Sequence, residues 1–372
     1  MFLAIREIRH AKARYALIAL IMLLVSFLVL FVTGLARGLA YDNAASIQNM
    51  KATHFVLQEQ SEHRLARSAV GIKELDAAQA AVGDTRATPL AIRMSAVTVE
   101  GSPSKIDAAL LAVDMDGWLA PSVAEGRAIT GDAALTVLVD RKLADTGAKV
   151  GGAIVDVASG MRLTIAGFVD GESFSHAPAV FMSLNDWTAM QSRTSHAAAS
   201  PSDASYNAIA VQASGDQLQA LRDALPDAEI IAKTDAVSAI PGYQEEQGSL
   251  LMMIVFLFVI AAFVLAVFFY VITLQKTGQF GVLKAIGTRT AYLAGSVIGQ
   301  VLLLAIGSLT VSALLILLAK ALLPASLPFR LETGTLLLTC LLFLGMAAAG
   351  SLLSVAKVAR TDALTAIGRA AA

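Results

Sequence analysis

The chain is poor in the residues that most often carry chemistry. Its 372 residues include one cysteine, Cys340, set inside an apolar run. A single thiol excludes an internal disulfide, a cysteine-based zinc cluster and a redox pair; in such surroundings cysteine acts as a small hydrophobe. Charged residues amount to 15% and the net charge is −1, with no basic domain of the kind that binds nucleic acid. No Gly-x-x-x-x-Gly-Lys-Ser/Thr loop occurs, so the chain has no P-loop with which to hydrolyse a nucleotide. The five histidines, His10, His54, His63, His176 and His196, show no metal-binding spacing, and no Gly-x-Ser-x-Gly elbow is present. An enzyme reading has no catalytic residues to rest on, and no resident metal or cofactor is expected.

The most informative absence is local. Residues 249–274 and 292–319 contain no Asp, Glu, Lys or Arg. A bilayer core of ~30 Å is crossed by about 20 apolar helical residues, so both runs read as transmembrane helices. A mean hydropathy of +0.67 fits several spans better than one large core. Residues 15–37 give a first span, 249–274 the second, 291–319 the third and 333–356 the fourth. A basic start ahead of an apolar run also describes a signal peptide, but this run is long for a signal core and no clear cleavage site follows.

The segments between the spans fall into order around them. Residues 1–14 carry Arg6, Arg9, Lys12 and Arg14 against Glu7, with Phe2, Ile5, Ile8 and Ala11 on one helical face. Such an amphipathic helix suits the headgroup layer of the cytoplasmic leaflet. Residues 275–290 carry Lys276, Lys284 and Arg289 and no acid, and Phe280, Leu283 and Ile286 recur at helical spacing. A short helix with an apolar stripe is expected there. The tail, 357–372, has Lys357, Arg360 and Arg369 against Asp362. With four spans, all three basic segments fall on one side, the cytoplasmic one, together with both termini. Residues 38–248 and the short loop 320–332 then lie outside the cell membrane. The expected fold is a four-helix membrane protein with an inserted extracytoplasmic α+β domain.

That inserted domain is polar and Ala-rich, and holds every proline except Pro324 and Pro328. Short runs at 53–57, 96–99, 135–139, 153–157, 162–169, 180–182, 208–212 and 229–231 predict strands, with Gly160 in a hairpin turn. Ser183-Leu-Asn-Asp186 predicts a capped helix start, and 215–225 a helix between two strands. In the spans, Gly34 with Gly38, Gly295 with Gly299, and Gly345 with Ala349 are small residues four apart. Such pairs let helix backbones approach closely, either within one chain or between two.

The order of elements, the segment Gly281-Val-Leu-Lys-Ala-Ile-Gly287 and the ending Arg360-Thr-Asp-Ala-Leu-Thr-Ala-Ile367 resemble the MacB/FtsX-type ABC permeases. Ala363 stands where that family commonly has proline. The resemblance implies that Phe280, Gly281, Leu283, Lys284, Ile286 and Gly287 form the coupling helix that docks on a separate ABC ATPase subunit, where ATP is hydrolysed. It also implies two copies of the permease, a homodimer in the lipid bilayer, with two of the ATPase. A narrower likeness, to the haem-efflux branch of the family, rests on further blocks. These are Glu7-Ile, Tyr15-Ala-Leu-Ile, Phe31-Val-Thr-Gly-Leu-Ala-Arg-Gly-Leu-Ala40, Tyr243-Gln-Glu-Glu-Gln247, Leu251-Met-Met-Ile-Val255 and Phe268-Phe-Tyr-Val-Ile-Thr-Leu-Gln-Lys276.

That likeness implies haem as the transported substrate. Haem is a flat apolar ring whose iron takes an axial ligand. The residues near the outer membrane boundary that suit it are Tyr41, Met50, His54, Phe55, Tyr243, Glu245 and Glu246, with Met252, Met253 and Phe256 just inside. Tyr243 and Glu246 are the candidate iron ligands, since phenolate and carboxylate oxygens bind ferric iron. Plainer accounts stand beside each. Tyr243 is equally an interfacial anchor, Glu245 and Glu246 suit a helix N-terminus, and Met50 and His54 read as surface residues. The same machine with another lipophilic cargo, or a transmembrane signalling module, are the rival functions.

Overall fold

In a bilayer, charge-free runs of this length satisfy their backbone polar groups only as helices. The computed structural model, which describes residues 12–194, 205–324 and 327–359, has them as helices throughout. In chain order the helices are α1 (Lys12–Asn49), α2 (Ile72–Val82), α3 (Leu184–Thr194), α4 (Asp216–Ala224), α5 (Lys233–Ser238), α6 (Tyr243–Gln275), α7 (Thr277–Ala285), α8 (Thr290–Leu322) and α9 (Thr333–Ala359). The strands are β1 (His54–Gln58), β2 (Ala87–Val99), β3 (Lys105–Val113), β4 (Val123–Gly126), β5 (Thr136–Asp140), β6 (Ala153–Asp156), β7 (Arg162–Val169), β8 (Ser173–Phe174), β9 (Ala177–Ser183), β10 (Ala208–Val211) and β11 (Ala228–Ala232). The amphipathic helix expected over 1–14 lies almost wholly outside the described residues.

The chain divides into a helical unit (residues 1–38, 248–323 and 329–372) and a sheet unit (residues 39–247 and 324–328). Among the described residues, four helices are long and apolar enough to cross a membrane: Tyr15–Asn49, Tyr243–Gln275, Thr290–Leu322 and Thr333–Ala356. Two of them outrun the apolar stretches. The first helix continues past residue 37 to Asn49, and the second begins at Tyr243 rather than 249. Alanines explain the first extension. They favour the helix, and Ala40, Ala44, Ala45 and Ile47 are buried in the sheet unit.

In the helical unit Met22, Val29 and Leu30 of α1 pack with Leu265 and Phe269 of α6, Ala305 and Leu309 of α8, and Phe343 and Ala347 of α9. Without a hydrophobic drive between helices in lipid, close packing and polar pairs hold them together. Ser26 Oγ lies 2.7 Å from Ser312 Oγ, Ser312 Oγ donates to the Leu23 carbonyl, and Ser308 Oγ donates to the Ala19 carbonyl. Two helix backbones come close at Gly350, where an added Cβ would sit 3.4 Å from the Ala266 amide nitrogen.

The sheet unit runs β11-β1-β10-β2-β3-β9-β5-β7-β4, with β6 joining β2 and β7, and β8 joining β9. The long β2 ties its two halves together, pairing first with β10 over Ala87–Leu90 and then with β3 from Ala91 onward. Strands β10 and β11 flank β1, both antiparallel to it, and α4 connects them. This is the helix between two strands expected over 215–225, with β1 lying between those strands in the sheet. The β6–β7 hairpin turns at Gly160, whose φ of 67° is a left-handed value. Helix α3 is capped as predicted by Ser183 Oγ, which accepts from the Asp186 amide. Asp186 itself turns away to accept the Leu135 amide, so the reciprocal half of the capping box is not made.

Candidate functional site

Past Gly38, helix α1 presents Asp42, Ser46 and Asn49 at i, i+4 and i+7, one face of the helix. Asn43 sits beside them, and α6 opens with Tyr243 and Glu246 one turn apart. Asn43 Nδ2 donates to Glu246 Oε2 at 2.6 Å, and Gln48 Nε2 reaches Tyr243 Oη at 3.5 Å. The β8–β9 turn closes over the pair. Its tip residues Ser175 and His176 have φ of 51° and 65°, a left-handed conformation that costs non-glycine residues about 1 kcal/mol or more each. The helix residues hold that strain in place. The Ser175 amide donates to the Asn43 carbonyl at 2.7 Å, while His176 Nε2 lies 3.1 Å from Glu246 Oε2 and Nδ1 3.7 Å from Asp42 Oδ2.

Behind this turn lies a buried ionic cluster. Asp42 accepts from Lys142 Nζ and from Ser173 Oγ, the latter at 2.7 Å. Asp140 accepts the Glu172 amide at 2.7 Å, and burial pushes its carboxyl above the usual carboxylate range despite that bond. Two acceptors, Asn43 Oδ1 and Glu246 Oε1, are buried and take no hydrogen bond. Buried acceptors of that kind are costly unless met by a donor or a hard cation.

The residues expected to share one site therefore part company. Tyr243 and Glu246 are brought together, whereas Glu245 is exposed on another side of α6. Tyr41 Oη donates to Asn49 Oδ1 at 2.7 Å, two turns further along α1. Met50 and Phe55 are core residues, 6% and 0% exposed, so neither is a surface group, nor is Phe55 available to cargo. The physical reason is that 54–58 is a strand of the sheet rather than a membrane-boundary segment. His54 heads that strand beside Thr53, its pKa lowered by burial and by the Arg222 charge. Asp42, Asn43 and His176 were not foreseen. The polar stripe at 42, 46 and 49 was a readable signal for α1; nothing in the sequence singles out His176.

The second candidate element is α7. Phe280, only 2% exposed, packs with Leu283 against Leu293 and Val297 of α8. The apolar stripe of Phe280 and Leu283 thus faces its own chain. Gly281 is buried with it, and Lys284 is half-buried. What faces outward is Val282 and Ile286, 42% and 77% exposed. Gly287, with φ of 96°, ends the element. Just before α7, buried Lys276 donates to Tyr15 Oη at 2.5 Å, and Tyr15 donates to Gln300 Oε1 at 2.9 Å, joining α1, the start of α7 and α8.

Residues 251–363 match the family model of the FtsX-like permease C-terminal domain. This stretch is an FtsX-like permease domain. Over the whole chain, 28% identity in 368 residues relates it to the hemin transport system permease protein HrtB of Staphylococcus haemolyticus, covering 99% of both chains. The HrtB of Staphylococcus epidermidis is 27% identical over 369 residues with the same coverage. Two solved structures are also similar. The periplasmic region of MacB from Actinobacillus actinomycetemcomitans aligns with a TM-score of 0.38 at 13% identity, over 54% of this chain and 97% of that one. The extracellular domain of the transporter YknZ from Gram-positive bacteria aligns at 0.35 and 13%, over 48% and 99%. Within the FtsX-like domain, a Cβ added at Gly295, Gly299 or Gly345 would meet no atom of another element within 4 Å among the described residues. Gly34, outside the domain, lies under the Phe329 ring, which an added Cβ would meet at 2.5 Å.

Proposed function

We propose that this chain is the permease subunit of an ABC exporter that removes haem from the cell membrane, driven by a separate ATPase subunit through α7. The likeness to hemin transport permeases runs from end to end of the chain, which supports haem over another lipophilic cargo. Of the geometric observations, one carries the reading: Glu246 keeps a buried carboxylate oxygen without a donor, one turn from Tyr243. Carboxylate and phenolate oxygens are the hard ligands that ferric iron accepts. His176 and Asn43 hold the other oxygen of Glu246 and so fix its direction.

Drive arrives at the opposite kind of surface. The ATPase contacts Val282 and Ile286, and a push on α7 passes through Phe280 and Leu283 into α8. The Lys276–Tyr15–Gln300 chain carries it on to α1. The termini and α7 are cytoplasmic in this reading, the sheet unit is extracellular, and two copies of the permease work with two ATPase subunits.

Haem titration of the purified full chain in nanodiscs tests the cargo. Saturable binding with a Soret band that shifts or weakens in Tyr243→Phe and Glu246→Gln is expected. A protein that takes up no haem, or one whose Soret band is unchanged in the double variant, removes the reading.

A further inference from the structure

Beside the last turn of α1 the sheet unit has a half-open cavity of about 360 Å³. That is within the range of small-molecule pockets, roughly 300–1,000 Å³. Its walls combine one buried carboxylate, Glu172, with the apolar surfaces of Met50, Trp118 and Phe181. We propose that this cavity is a binding site for a small organic cation, an ammonium group carried on an apolar body, with Glu172 as its counter-charge.

Charge decides the sign of the ligand. The charged groups lining the cavity are Glu172, Asp170 and Lys51. Lys51 is exposed, and Asp170 is spent on Arg141, whose Nε lies 2.6 Å away. Glu172 is the buried one, 9% exposed. Its direction is fixed by a relay: Tyr41 Oη donates to Asn49 Oδ1, which turns Asn49 Nδ2 onto Glu172 Oε1 at 3.0 Å. A carboxylate accepts at about four positions, so the Asn49 amide and the Ser46 hydroxyl beside it leave capacity for an ammonium. Burial pushes the Glu172 carboxyl up to about 7, against the pull of Asn49 and Ser46 and with the Asp140 charge adding to the rise. An ammonium beside it would supply the opposite charge that its surroundings withhold. The apolar body is received by Met50, Trp118 and Phe181, aromatic faces that also attract cations. An anion would meet two carboxylates and is disfavoured.

The two tryptophans make the test direct. Trp118 lines the cavity and Trp187 is buried in a separate core of the sheet unit. Full-length protein in nanodiscs is titrated with phenethylamine while tryptophan emission is followed. A saturable change is expected that disappears in Trp118→Phe and whose midpoint rises about tenfold or more in Glu172→Gln. Phenethyl alcohol, the neutral analogue, is expected to bind about tenfold more weakly at least. Trp187 emission through a thermal melt shows whether Glu172→Gln is folded; if it is not, Asn49→Leu, which releases the carboxylate, replaces it and is expected to raise the midpoint severalfold. No saturable change in the wild type, equal affinity in the folded variant, or equal binding of the alcohol overturns the proposal. This site is independent of the haem reading, since Glu172→Gln is expected to leave the haem titration unchanged.

Discussion

The helical unit and the sheet unit bury opposite things. In the sheet unit the large apolar side chains go inside: Phe55, Leu90, Leu110, Leu111 and Phe181 are all 2% exposed or less. In the helical unit equally large ones face outward, Phe256 at 59%, Phe263 at 69% and Leu341 at 66%, while Ser26, Ser308, Ser312 and Gln300 are buried. One sequence thus folds against two solvents. Water drives apolar area inward in the first unit; lipid removes that drive in the second, leaving packing and interhelical hydrogen bonds to order the helices. The exception within the sheet unit is the cluster of Asp42, Asp140, Lys142 and Glu172 near the end of α1, where charge rather than carbon is buried.

The contrast can be broken most severely at α7. Replacing Val282 and Ile286 by Glu leaves the packing of Phe280 intact and is expected to abolish ATP-driven export with insertion unchanged, as read by export assays and membrane fractionation. Survival of export in that double variant would remove the drive surface. Core truncation comes next. Phe55→Ala should destabilise the sheet unit by about 3–5 kcal/mol, seen as a lower melting temperature, whereas Phe263→Ala, already outside the helical core, should barely move it.

The buried charge gives the third test. Glu172 passes from an unfolded value near 4.5 to about 7 in the folded chain. Between those values the folded state binds the extra proton, so stability is fullest below about 4.5 and falls as pH rises to about 7, by up to about 3 kcal/mol. Glu172→Gln should flatten that slope; an unchanged pH profile counts against the assignment. Smallest is Ser26→Ala, which loses one bond between α1 and α8 and should cost about 0.6 kcal/mol, measurable only by a double-mutant cycle with Ser312→Ala.

Much of the architecture was legible before folding. Two charge-free runs specify helices because no other backbone conformation is satisfied in lipid, and strands such as 162–169 announce themselves by composition and by the glycine turn before them. Strand β3 was not legible: Lys105–Val113 carries Ala and Leu on both faces, and a strand buried on both sides loses the alternation that marks it. Helix α2, over Ile72–Val82, was missed for a related reason, its Ala-rich sequence being as polar as the loops around it. The apolar stripe of α7 was legible as a pattern but not as a direction, because 3.6-residue periodicity names a face without naming what it packs on.

Sequence alone determined that there are four membrane-length helices and an inserted mixed domain, since the length and purity of an apolar run depend on no distant residue. Only the tertiary structure decided which side chains meet. Asp42 and His176 lie more than a hundred positions apart, and what joins them is the path of the β8–β9 turn across the end of α1. The placement of Glu172 at a cavity, of Phe280 inside rather than outside, and of Glu246 between Asn43 and His176 follows from long-range packing, which leaves no periodic trace in the chain.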